Sequence, residues 1–168
     1  DNLIVINGVA KAWAMTGWRV GWSISPTAVA RAMGALQSHT TSNTATVSQF
    51  AALAALTLGE PVDATVRAMV AEFKARRDAA LPILRASRQL TVLQPDGAFY
   101  FYVKVPGAGT LPNAGDVFCR ELLENAGVAI VPGSAFRTPD WVRISYAADQ
   151  AQVMEACRRI AATADAMA

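Results

Sequence analysis

Charge is scarce in this chain. Asp, Glu, Lys and Arg make up 17% of its 168 residues, and 15 basic groups against 13 acidic ones leave a net charge of only +2. So little charge does little to keep a surface solvated and monomeric, which favours buried subunit or domain interfaces. No basic block and no interleaving of basic with aromatic residues is present, so nucleic acid is not an expected partner. Cysteine is nearly absent: Cys119 and Cys157, both in helix-like segments, cannot build a disulfide framework or a metal-ligand spacing. They are read as buried, reduced thiols of a cytoplasmic protein, and no metal is expected. The one histidine, His39, sits in a polar stretch and is read as a surface group rather than a base. No apolar run reaches the length of a membrane span, Ala51 to Leu56 being far too short, so no membrane partner is expected. No secretory signal pattern opens the sequence, which starts at Asp1 directly ahead of a strand-like segment. That opening is read as a sign of truncation.

Hydrophobic residues reach 53%, with alanine heavily used, and the length suits one domain or slightly more. Asn2 to Asn7, with the apolar run Leu3-Ile4-Val5-Ile6, reads as a buried strand, and Arg19 to Ser25 as a second strand. Pro26 opens a helix with Val29, Met33 and Leu36 at helical spacing. Gln37 to Thr44 reads as a polar loop, and Ala45 to Leu58 as a helix apolar enough to be buried on most sides. A long helix is expected from Pro61 to about Ser87, kinked or broken at Pro82.

The second half changes character. Leu90 to Leu93 reads as a strand and Pro95-Asp96-Gly97 as a turn in which glycine takes positive φ. Ala98 to Val105 is an aromatic strand, and Asn113 to Ala126 a helix stopped by Gly127. Strands over Val128 to Val131 and Trp141 to Tyr146 precede a last helix from Asp149 to about Ala164. The division is set near residue 60: part of an α/β domain before it, a compact α+β domain after it.

One run carries the chemistry. Gly8 to Gly21 (GVAKAWAMTGWRVG) sets an amine, Lys11, and a guanidinium, Arg19, eight residues apart among small side chains. A lone lysine is ordinarily a solvated surface group. Here the preceding strand and small neighbours leave room for a ring. Half-burial would favour the neutral amine that a carbonyl nucleophile needs. Arg19 offers a permanently charged fork suited to a phosphate dianion, and Gly17 and Gly21 permit close backbone approach. Arg143 lies in the strand Trp141-Val142-Arg143-Ile144-Ser145-Tyr146. It is either an exposed edge residue or, between apolar neighbours, a half-buried cation that needs an anion.

The Gly8–Gly21 run closely resembles the pyridoxal-phosphate attachment segment of the class I aminotransferases, in their aspartate- and aromatic-aminotransferase-like branch. The resemblance extends to Pro95-Asp96-Gly97-Ala98-Phe99-Tyr100, Val131-Pro132-Gly133-Ser134-Ala135-Phe136, the Arg143 strand and Thr41-Ser42-Asn43, and so covers nearly the whole chain. It implies the fold-type-I architecture of pyridoxal-phosphate enzymes in truncated form: residues 1–60 as the end of the large cofactor-binding domain, residues 61–168 as a bridging helix and the small C-terminal domain. It implies Lys11 as the Schiff-base lysine and proton shuttle, Arg19 as the grip on the cofactor phosphate, and Arg143 as the fork for the substrate α-carboxylate. It implies Asn43 as a substrate-site residue, on a loop that in relatives approaches the partner subunit's active site, although Thr44 stands where the family usually has proline. The implied reaction is transamination between an L-amino acid and a 2-oxo acid by a homodimer. The aspartate that pairs with the cofactor's ring nitrogen in this family has no counterpart in these residues, so the isolated chain is expected to be inactive. A pyridoxal-phosphate lyase on the same scaffold, the effector half of a transcription regulator, and a non-catalytic remnant stay open as alternatives.

Overall fold

The computed structural model describes residues 2–167. The expectation of a truncated start rests on Asp1, which lies outside them. The chain is mixed α/β and divides into two compact units, one up to Met69 and one from Val70 on.

The first unit holds strands β1 (Val5–Gly8) and β2 (Gly21–Ile24), paired antiparallel, then helices α1 (Thr27–Thr40) and α2 (Thr46–Thr57). Pro26 stands at the N-cap of α1, where its missing N–H is no loss. Several expectations are corrected here. Leu3 to Ile6 is not a buried strand: Ile6 is 78% exposed, because a two-stranded ribbon has nothing to cover both of its faces. Arg19 is not in β2 but takes a left-handed conformation ahead of it. Gln37 to Thr40 is helix rather than loop. Thr40 Oγ1 donates to Leu36 O at 3.0 Å and Ser38 Oγ to Ala35 O at 3.2 Å, so the hydroxyls are satisfied without leaving the helix. Helix α2 is not buried on most sides, since only Ser48 and Ala52 are buried and Phe50 is 66% exposed.

Helix α3 (Glu60–Ala86) contains the division between the units and runs unbroken through Pro82. The second unit adds β3 (Thr91–Leu93), β4 (Tyr100–Lys104), α4 (Ala114–Ala126), β5 (Val131–Pro132), β6 (Trp141–Ser145) and α5 (Gln150–Ala166). Its four-stranded antiparallel sheet runs β3-β4-β6-β5. Alternation decides the two faces. Phe101 and Val103 of β4 and Val142 and Ile144 of β6 point to a core shared with Leu84 of α3, Phe118 and Leu122 of α4 and Cys157 and Ile160 of α5. Each large apolar side chain so buried contributes roughly 1.5–3 kcal/mol. The other face carries Tyr100, Tyr102, Trp141 and Arg143, all half-buried.

Local chemistry sets the ends of the elements. Gly127 stops α4 in the left-handed conformation at φ 64°. Asp149 caps α5, its carboxylate accepting from Ala151 N at 2.9 Å and Gln152 N at 3.3 Å. Gly115 passes so close to β6 that a Cβ would lie 2.3 Å from Trp141 O. In the turn before β4 the positive φ falls on Ala98 (58°) rather than on Gly97. The Ala98 carbonyl accepts from Tyr146 Oη at 3.2 Å, and this tertiary bond holds the strained residue in place. Among the described residues no helix is long and apolar enough to cross a membrane.

Candidate functional site

The lysine loop leaves the ribbon at a rung made only of glycine. Gly8 pairs with Gly21, and a Cβ on Gly8 would meet Val20 O at 2.9 Å, one on Gly21 the Asn7 O at 3.2 Å. The strands are therefore closer here than side chains permit. Just beyond, Val9 N donates to Val20 O at 3.2 Å and the Val9 side chain is fully buried, so both ends of the loop are pinned together. Within residues 9–20 the Lys11 carbonyl accepts from Ala14 N at 3.1 Å and the Val9 carbonyl from Met15 N at 3.4 Å. Ala14 (φ 54°) and Arg19 (φ 56°) both take the left-handed region, which few non-glycine residues do without tertiary compulsion.

Lys11 and Arg19 thus stand on one short, pinned loop, and both are exposed. The expected half-burial of Lys11 is not observed, because its neighbours are too small to shield it. Arg19 Nη1 donates to Thr16 O at 3.1 Å, which folds its side chain back along the loop. Gly17, expected to allow close approach, has open space around the Cβ position.

Asn43 follows α1 and donates from Nδ2 to Thr44 O at 2.9 Å, an acceptor it shares with Gln49 Nε2 at 2.7 Å. With Gly21, Trp22 and Phe50 it lines a groove of about 770 Å³ in the first unit. The groove reaches the β2 end of the lysine loop, but neither Lys11 nor Arg19 lines it.

Arg143 belongs to the second unit. Its guanidinium carbon lies 4.5 Å from the centroid of the Tyr100 ring and 4.7 Å from that of Phe136, and it forms no ion pair among the described residues. Tyr102, directly opposite Arg143 in the sheet, is instead stacked on Trp141, with centroids 5.4 Å apart and planes at 11°. Its hydroxyl is hydrogen-bonded to Thr138 Oγ1. Sequence reasoning missed Tyr100 and Phe136 as neighbours of the arginine. Both stand in segments to which the family resemblance extends, and only the register of β4 against β6 and the turn before β6 bring their rings to it.

Burial pushes the Cys157 thiol up to about 11, and burial with the nearby Asp116 carboxylate does the same to Cys119. Hydrogen bonds from Lys74 and Arg77 hold the Asp78 carboxyl below the usual range. No group of three metal-ligating side chains occurs among the described residues.

Against known proteins, residues 1–160 match the family described as aminotransferase class I and II. The chain is 40% identical to an aspartate/prephenate aminotransferase of Cereibacter sphaeroides, over 96% of the chain and 42% of that relative. It is 43% identical to an aspartate aminotransferase of Thermotoga maritima, over 95% of the chain and 39% of the relative. Among solved structures, that of the Rhizobium meliloti aspartate aminotransferase superposes with a TM-score of 0.83 at 39% identity, covering 98% of this chain and 42% of that one. The aromatic aminotransferase of Pyrococcus horikoshii does so with 0.85 at 34% identity, covering 95% and 42%. The chain therefore spans about two fifths of the length of the relatives it matches.

Proposed function

The chain belongs to the class I and II aminotransferase family, and from that premise we propose that it carries the lysine, the phosphate-binding arginine and the carboxylate-binding arginine of a pyridoxal-phosphate-dependent transaminase acting on an L-amino acid and a 2-oxo acid. The observation that carries this reading is the pinned loop 9–20. Its glycine-only rung and its two left-handed residues hold an amine and a guanidinium on one short surface segment.

The residues present fit that cofactor. A primary amine condenses with an aldehyde, and a guanidinium fork matches a phosphate dianion in charge and geometry. Lys11 Nζ would hold the aldehyde end and Arg19 the phosphate. When bound, pyridoxal phosphate supplies an electron sink that acidifies the substrate α-C–H bond. The chain's own contribution is then a proton relay. Lys11 Nζ would take the proton from the substrate α-carbon as a base and, as an acid, deliver it to the C4′ carbon of the cofactor, the transfer that turns an amino acid into a 2-oxo acid. Arg143 would orient the substrate by donating in-plane N–H bonds to its α-carboxylate. Asn43, at the rim of the groove beside β2, is proposed to contact substrate.

The same reading assigns residues 1–60 to the end of a large cofactor-binding domain and 61–168 to a bridging helix and small domain. It also takes a second copy of the protein as partner, supported by the exposed apolar side chains Val47 and Phe50 of α2.

Only three lysines are present, Lys11, Lys74 and Lys104, which makes the test direct. Lys74 is paired with Asp78 at 2.6 Å and Lys104 is half-buried in β4. The chain is incubated with pyridoxal phosphate, reduced with borohydride and peptide-mapped. The label is expected on Lys11, and Arg19→Gln is expected to weaken cofactor retention about tenfold or more, as loss of a charge-assisted bidentate contact does. Label distributed without preference over Lys74 and Lys104 overturns the assignment.

A further inference from the structure

We propose that Tyr100 and Phe136 are positioning residues that hold the Arg143 guanidinium by its faces and leave its edge as the docking line for the carboxylate of an amino or oxo acid, a proposal that rests on the reading of Arg143 as the carboxylate fork. A free arginine side chain rotates about several bonds, so a bidentate contact to a carboxylate costs ordering. Two rings at 4.5 and 4.7 Å remove much of that freedom beforehand. The two rings come from separate elements, Tyr100 from β4 and Phe136 from the turn before β6, so the cation is held from two independent supports. Ring faces attract the cation without using its N–H donors, and those donors all lie in the guanidinium plane. The in-plane fork therefore stays available to an anion.

Each ring has an independent reason to be where it is. Arg143 faces Tyr102 across the β4–β6 ladder, but Tyr102 is committed to the Trp141 stack and to Thr138. The guanidinium instead reaches the next residue on the same face of β4, Tyr100, which is in register with Ser145. Phe136 closes the short turn Gly133–Phe136, and that turn cannot relax. Thr138 donates twice to Gly133 O, from N at 2.9 Å and from Oγ1 at 3.1 Å. A Cβ on Gly133 would lie 2.2 Å from Thr138 O, and Arg137 is held left-handed at φ 61°. The result is a phenylalanine that is 44% exposed and rests on a cation instead of in the core. A ring left that open on a rigid turn has little structural value of its own, and the arginine gives it a use.

The test uses the 168-residue chain and pyruvate as probe, with two readouts. The first is the Arg143 Nε–H resonance, which the two rings displace by their ring currents. The second is pyruvate affinity. Tyr100→Phe keeps a ring and is expected to retain both. Tyr100→Leu and Phe136→Leu keep apolar bulk but lose the π face. Each should move the resonance toward its unstructured position and weaken pyruvate binding about two- to five-fold, the double variant about tenfold. Arg143→Lys, which keeps charge without a planar fork, should bind more weakly than either single variant. Leucine variants that leave the resonance in place, or shift it without changing affinity, overturn the positioning role while Arg143→Ala still abolishes binding. If Arg143→Ala leaves pyruvate binding unchanged, or the wild-type chain does not bind pyruvate, the fork reading itself fails and the positioning role with it.

Discussion

In the first unit, up to Met69, the apolar side chains of β1 and α2 lie largely at the surface, and Val9 and Ala52 are the buried apolar residues described there. In the second, from Val70 on, Phe101, Phe118, Leu84, Val142 and Ile160 close around a core with no exposure or almost none. The two stretches are similarly rich in hydrophobic residues. What separates them is whether antiparallel alternation and two amphipathic helices can present their apolar faces to one another within the unit. The lysine loop sits in the unit without such a core and is held by backbone devices instead: a glycine rung, one buried valine and two left-handed residues. Arg143 sits on the outer face of the sheet that has one.

The comparison can be broken most strongly by truncating a ring on each side of it. Phe118→Ala should destabilise the second unit by about 3–5 kcal/mol, while Phe50→Ala, on an exposed helix face, should stay within about 0.5 kcal/mol. Urea unfolding followed by circular dichroism measures both, and comparable losses would abolish the distinction. Next in size, Gly115→Ala drives a Cβ against the Trp141 and Pro139 carbonyls and should cost about 1–3 kcal/mol. Gly34→Ala, in α1 with open space around it, should be neutral or stabilising by up to about 1 kcal/mol. Asp149→Ala removes the cap of α5 and should cost about 1 kcal/mol, lowering the unfolding midpoint without changing the slope.

The last effect is absent at neutral pH. The Cys157 thiol titrates near 11 in the folded unit against 9.0 when exposed, so the folded state holds its proton longer. Stability from this group is complete below about pH 9 and is lost as pH rises through about 11. Cys157→Ala should flatten that alkaline decline relative to the parent chain, and an unchanged slope would locate the thiol outside the core.

Much of the second unit was legible because its signals are local. Gly127, free of a Cβ, ends α4 in the left-handed region, the Asp149 carboxylate starts α5, and the alternation through Phe101 and Val103 names the inner face of β4. The run from Gly8 to Gly21 carries the family resemblance in contiguous residues, with no need of tertiary context. Burial in the first unit was not legible, since an apolar run such as Leu3 to Ile6 states a preference for cover and not its presence. The length of α1 was missed because hydroxyls at Ser38 and Thr40, which favour loops in general, here bond backwards onto their own helix. The left-handed Ala98 depends on a contact from Tyr146 elsewhere in the fold, and the pair of rings around Arg143 depends on strand register and a turn.

The Tyr102–Trp141 stack makes the molecule optically divisible. Trp13, Trp18 and Trp22 all belong to the first unit and Trp141 alone to the second. Trp141 lies beside the arginine proposed to receive substrate, two positions away on the same strand face. With the other three changed to phenylalanine, its emission becomes a single lamp inside the second unit. Its stack on Tyr102, tied through Thr138 to the turn that carries Phe136, lets that lamp report any movement of the turn when an anion arrives.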